Sequence, residues 1–452
     1  MRIIHPPREY IMKNTVKART RKVRVSSTAR GLTAQAGMVP VVGFLNKQQF
    51  YKQLKDTLTL QRSDNATWHP EDAVYLTTGG IIAGADALSS IKTVWADPVL
   101  REIDGWESIP DDTTLARIFK ECGETDVTDL QRVNHQFRNQ IWKKLQHLHK
   151  GSLKRRKSCW IDIDSTVKTV YGNQEGAVKG FNAKKKGAVS YHPLLAFCAH
   201  TKEIVQGILR PGNVYTANGV VEFVKQVQAS FSGKRIILRG DSGFFSGKLL
   251  DLLDSNKDGY LIKVKLKNLD KLLAKQNWRS VRNQPGYEQC RFEYACKDWS
   301  RTRSFVAIRK EKPREKSDQL AFYEPVEYEN FCYIQSEDFN PWKTHKTYGK
   351  RATCETWIEE SKNQMALAHI KTASFFANAA IFQCAVLAYN IVRWMAALSN
   401  NKRLMRWEAK TIRGFIIRVA GRLIKGSRQL VLKTPSSLLF KNQWVAWLKY
   451  AT

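Results

Sequence analysis

Two short apolar runs that each end on an aspartate constrain this chain more than any other feature. Cys159-Trp160-Ile161-Asp162-Ile163-Asp164 and Arg235-Ile236-Ile237-Leu238-Arg239-Gly240-Asp241 both read as buried β-strands. Residues two apart in a strand share a face, so Asp162 and Asp164 project together. A carboxylate in an apolar strand is costly unless a cation balances it. If the two strands are neighbours, two or three carboxylates meet at one sheet edge, and hard oxygen donors there select Mg2+ or Mn2+. Taken singly, each aspartate reads more simply as a strand-end turn or a helix cap. Their joint placement on strands of the parallel type favours the metal.

The surrounding pattern is α/β. Strand-like runs at Tyr191–Ala199 and Ile204–Leu209 follow the first acidic strand, the second ending in the turn Arg210-Pro211-Gly212-Asn213. An amphipathic helix over Val220–Phe231, the second acidic strand, a helix at Leu249–Leu253 and a strand at Tyr260–Val264 complete the series. Such a sheet places its polar ligands at strand ends. Residues 268–345 interrupt the alternation with runs at Gln289–Tyr294, Arg303–Arg309 and Tyr328–Ile334, which predict an inserted antiparallel β-unit. Helix returns from about Arg351 to residue 399.

Upstream, residues 45–152 read as helices. Phe50, Leu54 and Leu58 recur at four-residue steps, and Asp111-Asp112-Thr113-Thr114 caps a helix that carries Leu115, Ile118 and Phe119. Leu130, Val133, Phe137, Ile141, Leu145 and Leu148 continue the period up to Gly151. A helical DNA-binding domain and a plain helical cap fit equally. Residues 1–44 form a basic leader whose Lys17, Arg19, Arg21, Lys22, Arg24 and Arg30 lack a helical period. It reads equally as a solvated tail or as a segment that orders on DNA.

Composition narrows the partner. The 74 Lys and Arg outweigh 41 Asp and Glu, for a net charge of +33, and self-repulsion of that size persists where a polyanion is bound. The positive residues spread along the whole chain, which points to an extended nucleic-acid surface. Charge alone also fits an RNA-coating protein. Hydrophobic residues at 43% exclude a wholly disordered chain, and 452 residues call for two to four structural units. The eight cysteines form no Cys-x-x-Cys pair and read as reduced, buried residues of a cytosolic protein without structural zinc. Ala373–Val392 is uncharged and long enough to span a bilayer. Asn378, Gln383 and Asn390 interrupt it and Lys371 and Arg393 flank it, so a buried helix explains it better. Met1–Asn14 has no signal-peptide core.

The third acidic element is Tyr348, Arg351, Glu355 and Lys362. On one helix Arg351, Glu355 and Lys362 fall within about 40° of each other. Tyr348 joins them only if the helix runs back past Gly349. By itself this stripe reads as an exposed face with an i, i+4 ion pair. In the context of the other motifs it is more. Tyr348-x-x-Arg351-x-x-x-Glu355, with Lys362 seven residues on, resembles the Tyr-Arg-Glu-Lys signature of bacterial insertion-sequence DDE transposases. Asp164-Ser165-Thr166 looks like their first motif and Arg239-Gly240-Asp241-Ser242-Gly243 like their second. Tyr191-His192-Pro193-Leu194-Leu195 and Leu209-Arg210-Pro211-Gly212-Asn213 point to the branch named insertion-sequence thirteen-eighty. The resemblance covers roughly residues 75 to 400.

The resemblance implies an RNase H-like catalytic core with a β-rich insertion and an α-helical N-terminal DNA-binding domain. The core is expected at 153–267 and 346–400, the insertion at 268–345, and a basic region with dimerisation as its candidate role at 401–452. Asp164, Asp241 and Glu355 are the implied catalytic residues and the ligands of two Mg2+ ions, with Mn2+ as substitute. Asp162 stays open as a further ligand, and Glu359 and Glu360 are rivals to Glu355 that miss the signature spacing. Tyr348, Arg351 and Lys362 are expected to grip DNA near the break, and Lys184, Lys185 and Lys186 its backbone. Trp299 is a candidate to stack on an unpaired base, with a β-core tryptophan as the plainer reading, and His192 reads as structural. The implied activity is cut-and-paste transposition through a DNA hairpin. It acts on double-stranded DNA at terminal inverted repeats and on target DNA, as a homodimer in a bacterial cytoplasm, associated with the nucleoid. A catalytically silent transposase derivative and an RNase H-fold nuclease are the alternatives.

Overall fold

The computed structural model describes residues 27–148, 157–180, 182, 185–231, 233–312, 326–368, 372–427 and 429–449. Most of the basic leader and Lys184 therefore lie outside the described residues. A nine-stranded mixed sheet organises residues 158–335. Its strands are β1 (Ser158–Ser165), β2 (Leu194–Cys198), β3 (Ile204–Ile208), β4 (Arg235–Gly240), β5 (Gly259–Lys263), β6 (Arg279–Ser280), β7 (Tyr287–Tyr294), β8 (Arg303–Glu311) and β9 (Tyr328–Gln335). Across the sheet they run β6-β7-β8-β9-β5-β4-β1-β2-β3. β1 pairs antiparallel with β2 and parallel with β4, and β4 pairs parallel with β5. The central strands are buried on both faces, which is why Leu194–Cys198 is apolar at every position.

The residues read as an inserted β-unit do not form a separate body. β9 pairs antiparallel with β5, placing Ile334 opposite Ile262, so β6–β9 extend the same sheet. The expected single strand Tyr191–Ala199 is split instead. Val189–Tyr191 joins Lys168–Thr169 and Val178–Lys179 in a small three-stranded sheet, and β2 starts at Leu194. Pro193 has no N–H to donate, and this is where the ladder breaks.

Helices occupy the described part of residues 38–148 and end in α1 (Glu124–Leu148). They pack around α2 (Phe375–Leu398), in which every residue from Ala377 onward is buried. By length and apolarity α2 would pass for a membrane span, yet it runs through the protein core. Its polar interruptions have partners. Asn390 donates to Asn134 Oδ1 (2.9 Å) and to the carbonyl of Ile204 (2.8 Å), and accepts from the Ile204 amide (2.8 Å). Gln383 donates to the Gly207 carbonyl (2.8 Å) and Asn378 to the Tyr191 hydroxyl (3.1 Å). α1 reaches the same edge strand, with Arg138 donating to the Val205 carbonyl (2.8 Å). One continuous core thus includes the N-terminal helices, α2 and the sheet. The C-terminal region folds back as well. The hairpin Gly421–Lys425 and Leu430–Lys433 pairs with Leu32–Thr33, and Trp447 donates to the Gly37 carbonyl (3.1 Å).

Candidate active site

β1 and β4 are parallel neighbours, so each presents its terminal acid at the same end of the sheet. Asp164 lies in β1, and its Oδ1 accepts from the amide of Ser165 (2.9 Å). Asp241 follows β4 and caps the tight turn Ser242–Phe244, with Oδ1 accepting from the Gly243 amide (2.8 Å). A Cβ on Gly243 would stand 3.0 Å from Asp241 Oδ1 and 3.1 Å from Thr216, so glycine lets the turn fit there. Glu355 comes from the first turn of α4 (Ala352–Gln364), which follows α3 (Pro341–Gly349). Pro341 starts α3 and Asn340 caps it, its side chain accepting from the Lys343 amide (2.8 Å).

One guanidinium gathers all three acids. Arg351 Nη2 is 2.8 Å from Asp164 Oδ2 and 3.9 Å from Asp241 Oδ2, while Nη1 is 3.4 Å from Glu355 Oε1. Arg351 and Asp164 are buried, whereas the Glu355 side chain is 68% exposed. Burial pushes the Asp164 carboxyl up to about 6, against the attraction of Arg351 and with the repulsion of Asp241 and Glu355 adding to the rise. Tyr348 belongs to α3 and not to the helix of Glu355, so the single stripe of the sequence reading is two helices broken at Gly349–Arg351. The tyrosine still lies within electrostatic reach of the cluster. It packs on Tyr333 with ring centroids 4.6 Å apart, and its hydroxyl is pushed up to about 12, first by burial, with Arg351 opposing and the three acids adding.

The rival acids are accounted for. Asp162 is fully buried, and Arg239 Nε and Nη2 meet its two oxygens at 2.5 and 2.7 Å. Arg239 also donates to the Thr347 carbonyl on α3. Asp162 is thus a structural ion pair, a role whose signal was Arg239 inside an apolar strand. Glu360 is held by Arg393 and by the Ala409 amide, and Glu359 is exposed. Lys362 Nζ donates to Thr166 Oγ1 (2.9 Å) and to the Val167 carbonyl (2.7 Å), so it clamps the segment that follows Asp164.

The remaining predicted residues lie elsewhere. Lys185 sits over the Tyr171 ring at 4.6 Å, and Lys186 is exposed. Trp299 packs between Phe245 and Phe305 with the Arg303 guanidinium over its ring at 4.9 Å. His192 shares a hydrogen with the Val214 carbonyl at 2.7 Å and pins a loop. Thr216, which no sequence pattern singled out, joins the two aspartate motifs, its Oγ1 lying 3.1 Å from Ser165 Oγ.

Three carboxylates, one of them buried and repelled by the other two, are donors of the kind that hard divalent cations take. Among the described residues no three His, Cys, Asp or Glu side chains stand close enough together to hold a metal, and Arg351 is the cation the three acids share. The chemistry of the donor set fits the implied ions.

Two aspartates from parallel strands and a glutamate from a helix thus share one guanidinium. In a comparison of sequences, residues 15–450 match the transposase DDE domain group 1 family, and the chain belongs to it. Curated proteins provide no match. Seven chains of solved structures match. They include piggyBac transposase in a cryo-EM structure of its synaptic complex with hairpin DNA. That likeness has a TM-score of 0.44 at 14% identity and covers 86% of this chain and 82% of that one.

Proposed function

We propose that this transposase cuts and joins DNA at Asp164, Asp241 and Glu355, excising and inserting an insertion sequence by cut-and-paste through a DNA hairpin. The observation that carries the reading is the contact of Arg351 with all three acids, residues far apart in the chain that share one guanidinium. When bound by these carboxylates, two Mg2+ or Mn2+ ions would supply Lewis-acid activation of the attacking oxygen and stabilise the leaving 3′ oxygen. The chain's own residues do the rest. Lys362 holds the segment after Asp164 in place through Thr166 and Val167. Gly243 holds the Asp241 carboxylate by its amide. Arg351 and Tyr348 border the carboxylates, where a guanidinium can grip a scissile phosphate and an aromatic ring the adjoining nucleotide.

The strand order β3-β2-β1-β4-β5, antiparallel through β1 and parallel beyond it, supports an RNase H-like core. The net charge of +33 supports DNA as partner, at element inverted repeats and at the target. Two ends cut together call for a homodimer on DNA. The insertion-sequence thirteen-eighty branch and a bacterial, nucleoid-associated setting complete the proposal.

Strand-transfer assays with Mg2+ and the DNA flanking the coding sequence test this reading. Nicking, hairpin formation and joining are expected, with Asp241→Asn abolishing cleavage and retaining DNA binding. Binding without cleavage by the unaltered protein would make it a silent derivative. Cleavage without joining would make it a nuclease.

A further inference from the structure

The loop between β3 and the helix Val220–Ala229 presents an aromatic ring that the protein core does not use. Tyr215 is 76% exposed, although the loop around it is firmly held. The buried Arg210 donates to the carbonyls of His192 (3.0 Å) and Asn218 (2.9 Å), fixing both stems. His192 Nδ1 meets the Val214 carbonyl at 2.7 Å, and the Asn218 amide donates to the carbonyl of Tyr215 itself (3.0 Å). A Cβ on Gly212 would stand 2.1 Å from the Ser190 carbonyl oxygen, so the loop lies directly on the small sheet.

This loop adjoins the carboxylates. Thr216, the next residue, is within 3.1 Å of Ser165 Oγ and would meet a Cβ on Gly243 at 3.1 Å. It is wedged between the residue after Asp164 and the turn that holds Asp241. Tyr215 is thus an exposed aromatic side chain on a fixed backbone at the edge of the acid cluster. Tyrosine offers contact area at low conformational cost, having two χ angles to fix. Tyr171 carries Lys185, Trp299 lies among Phe245, Phe305 and Arg303, and Tyr348 is packed on Tyr333.

We propose that Tyr215 is the platform on which an unpaired nucleobase beside the scissile phosphate stacks. The inference rests on the transposase reading above, in which bending the duplex into a hairpin takes a base out of the stack. It moves the stacking role from Trp299, whose ring is already covered, to a ring that is free of the core.

The test uses the full chain and its own element-end DNA with 2-aminopurine at an unpaired terminal position, Ca2+ replacing Mg2+ to keep the DNA uncut. Binding is expected to quench the probe, and the unpaired end to bind about tenfold tighter than the paired duplex, in line with one base–aromatic stack. Tyr215→Ala is expected to lose both the quenching and the preference, and Tyr215→Phe and Tyr215→Trp to keep them. Unchanged quenching in Tyr215→Ala, or loss in Trp299→Ala instead, overturns the assignment. If the unaltered protein fails to nick the same DNA with Mg2+, the transposase reading falls and this inference with it. Nicking together with unchanged Tyr215→Ala quenching overturns Tyr215 alone.

Discussion

Asp162 and Asp164 share one face of β1, two residues apart, and meet different arginines. Asp162 has a bidentate partner of its own, whereas Asp164 shares Arg351 with two other acids. A buried pair is costly to break from one side. Arg239→Met is therefore expected to cost about 3–5 kcal/mol in urea unfolding, and adding Asp162→Leu to recover much of it. Asp164 behaves oppositely. Burial holds its carboxyl up at about 6 in the folded chain, well above the ordinary aspartate value of about 4. The folded state then holds a proton that the unfolded state releases, so this site's contribution falls as pH rises from about 4 to about 6. In EDTA at pH 7.5, Asp164→Asn is expected to stabilise the protein by about 1–3 kcal/mol, a gain that vanishes below about pH 4. A gain that is the same at every pH would contradict this account.

At the scale of elements, α2 decides how the two halves of the chain adhere. Its apolar length is matched to a core, and its side-chain amides satisfy β3, which lies at the edge of the sheet among the described residues. Asn390→Ala removes its two hydrogen bonds to the Ile204 backbone in a buried place, and a loss of about 1–3 kcal/mol is expected, read as a lower urea midpoint with an unchanged m-value. The break between α3 and α4 has its own consequence. It places Tyr348 and Glu355 on separate axes, while the Arg351 amide still donates to the Tyr348 carbonyl at 2.8 Å. The signature spacing therefore describes a helix–helix corner. Regular periodicity could not show this, because Gly349 is compatible with either a weak helix or its end.

For the whole molecule, the N-terminal helices and the C-terminal hairpin close over one core. A chain beginning at residue 157 would leave α2 without α1, and it is expected to aggregate where the full chain unfolds in a single calorimetric transition. Independent melting of the two parts would show that the shared core is not what holds them. The charge acts at the same scale. DNA affinity is expected to fall linearly in a log–log plot against salt as counterions are released, and a flat plot would assign the +33 to another purpose.

Local pattern was enough for the two acidic strands, the helix–strand–helix–strand series from Val220 to Val264 and the buried reading of α2. These are properties of neighbours in the chain, such as alternation, apolar runs and motif spacing. Contacts between residues far apart were decided by the tertiary structure alone. Arg239 neutralises Asp162 from 77 residues away, Lys362 clamps Thr166 from 196, and the predicted insertion joins the sheet through β5 and β9. No sequence period encodes which arginine faces which acid, because that depends on strand register and on the path of α3 and α4 across the sheet. By itself the sequence determined that three carboxylates had to be reconciled with one another, and the fold decided that Arg351 is the group that reconciles them.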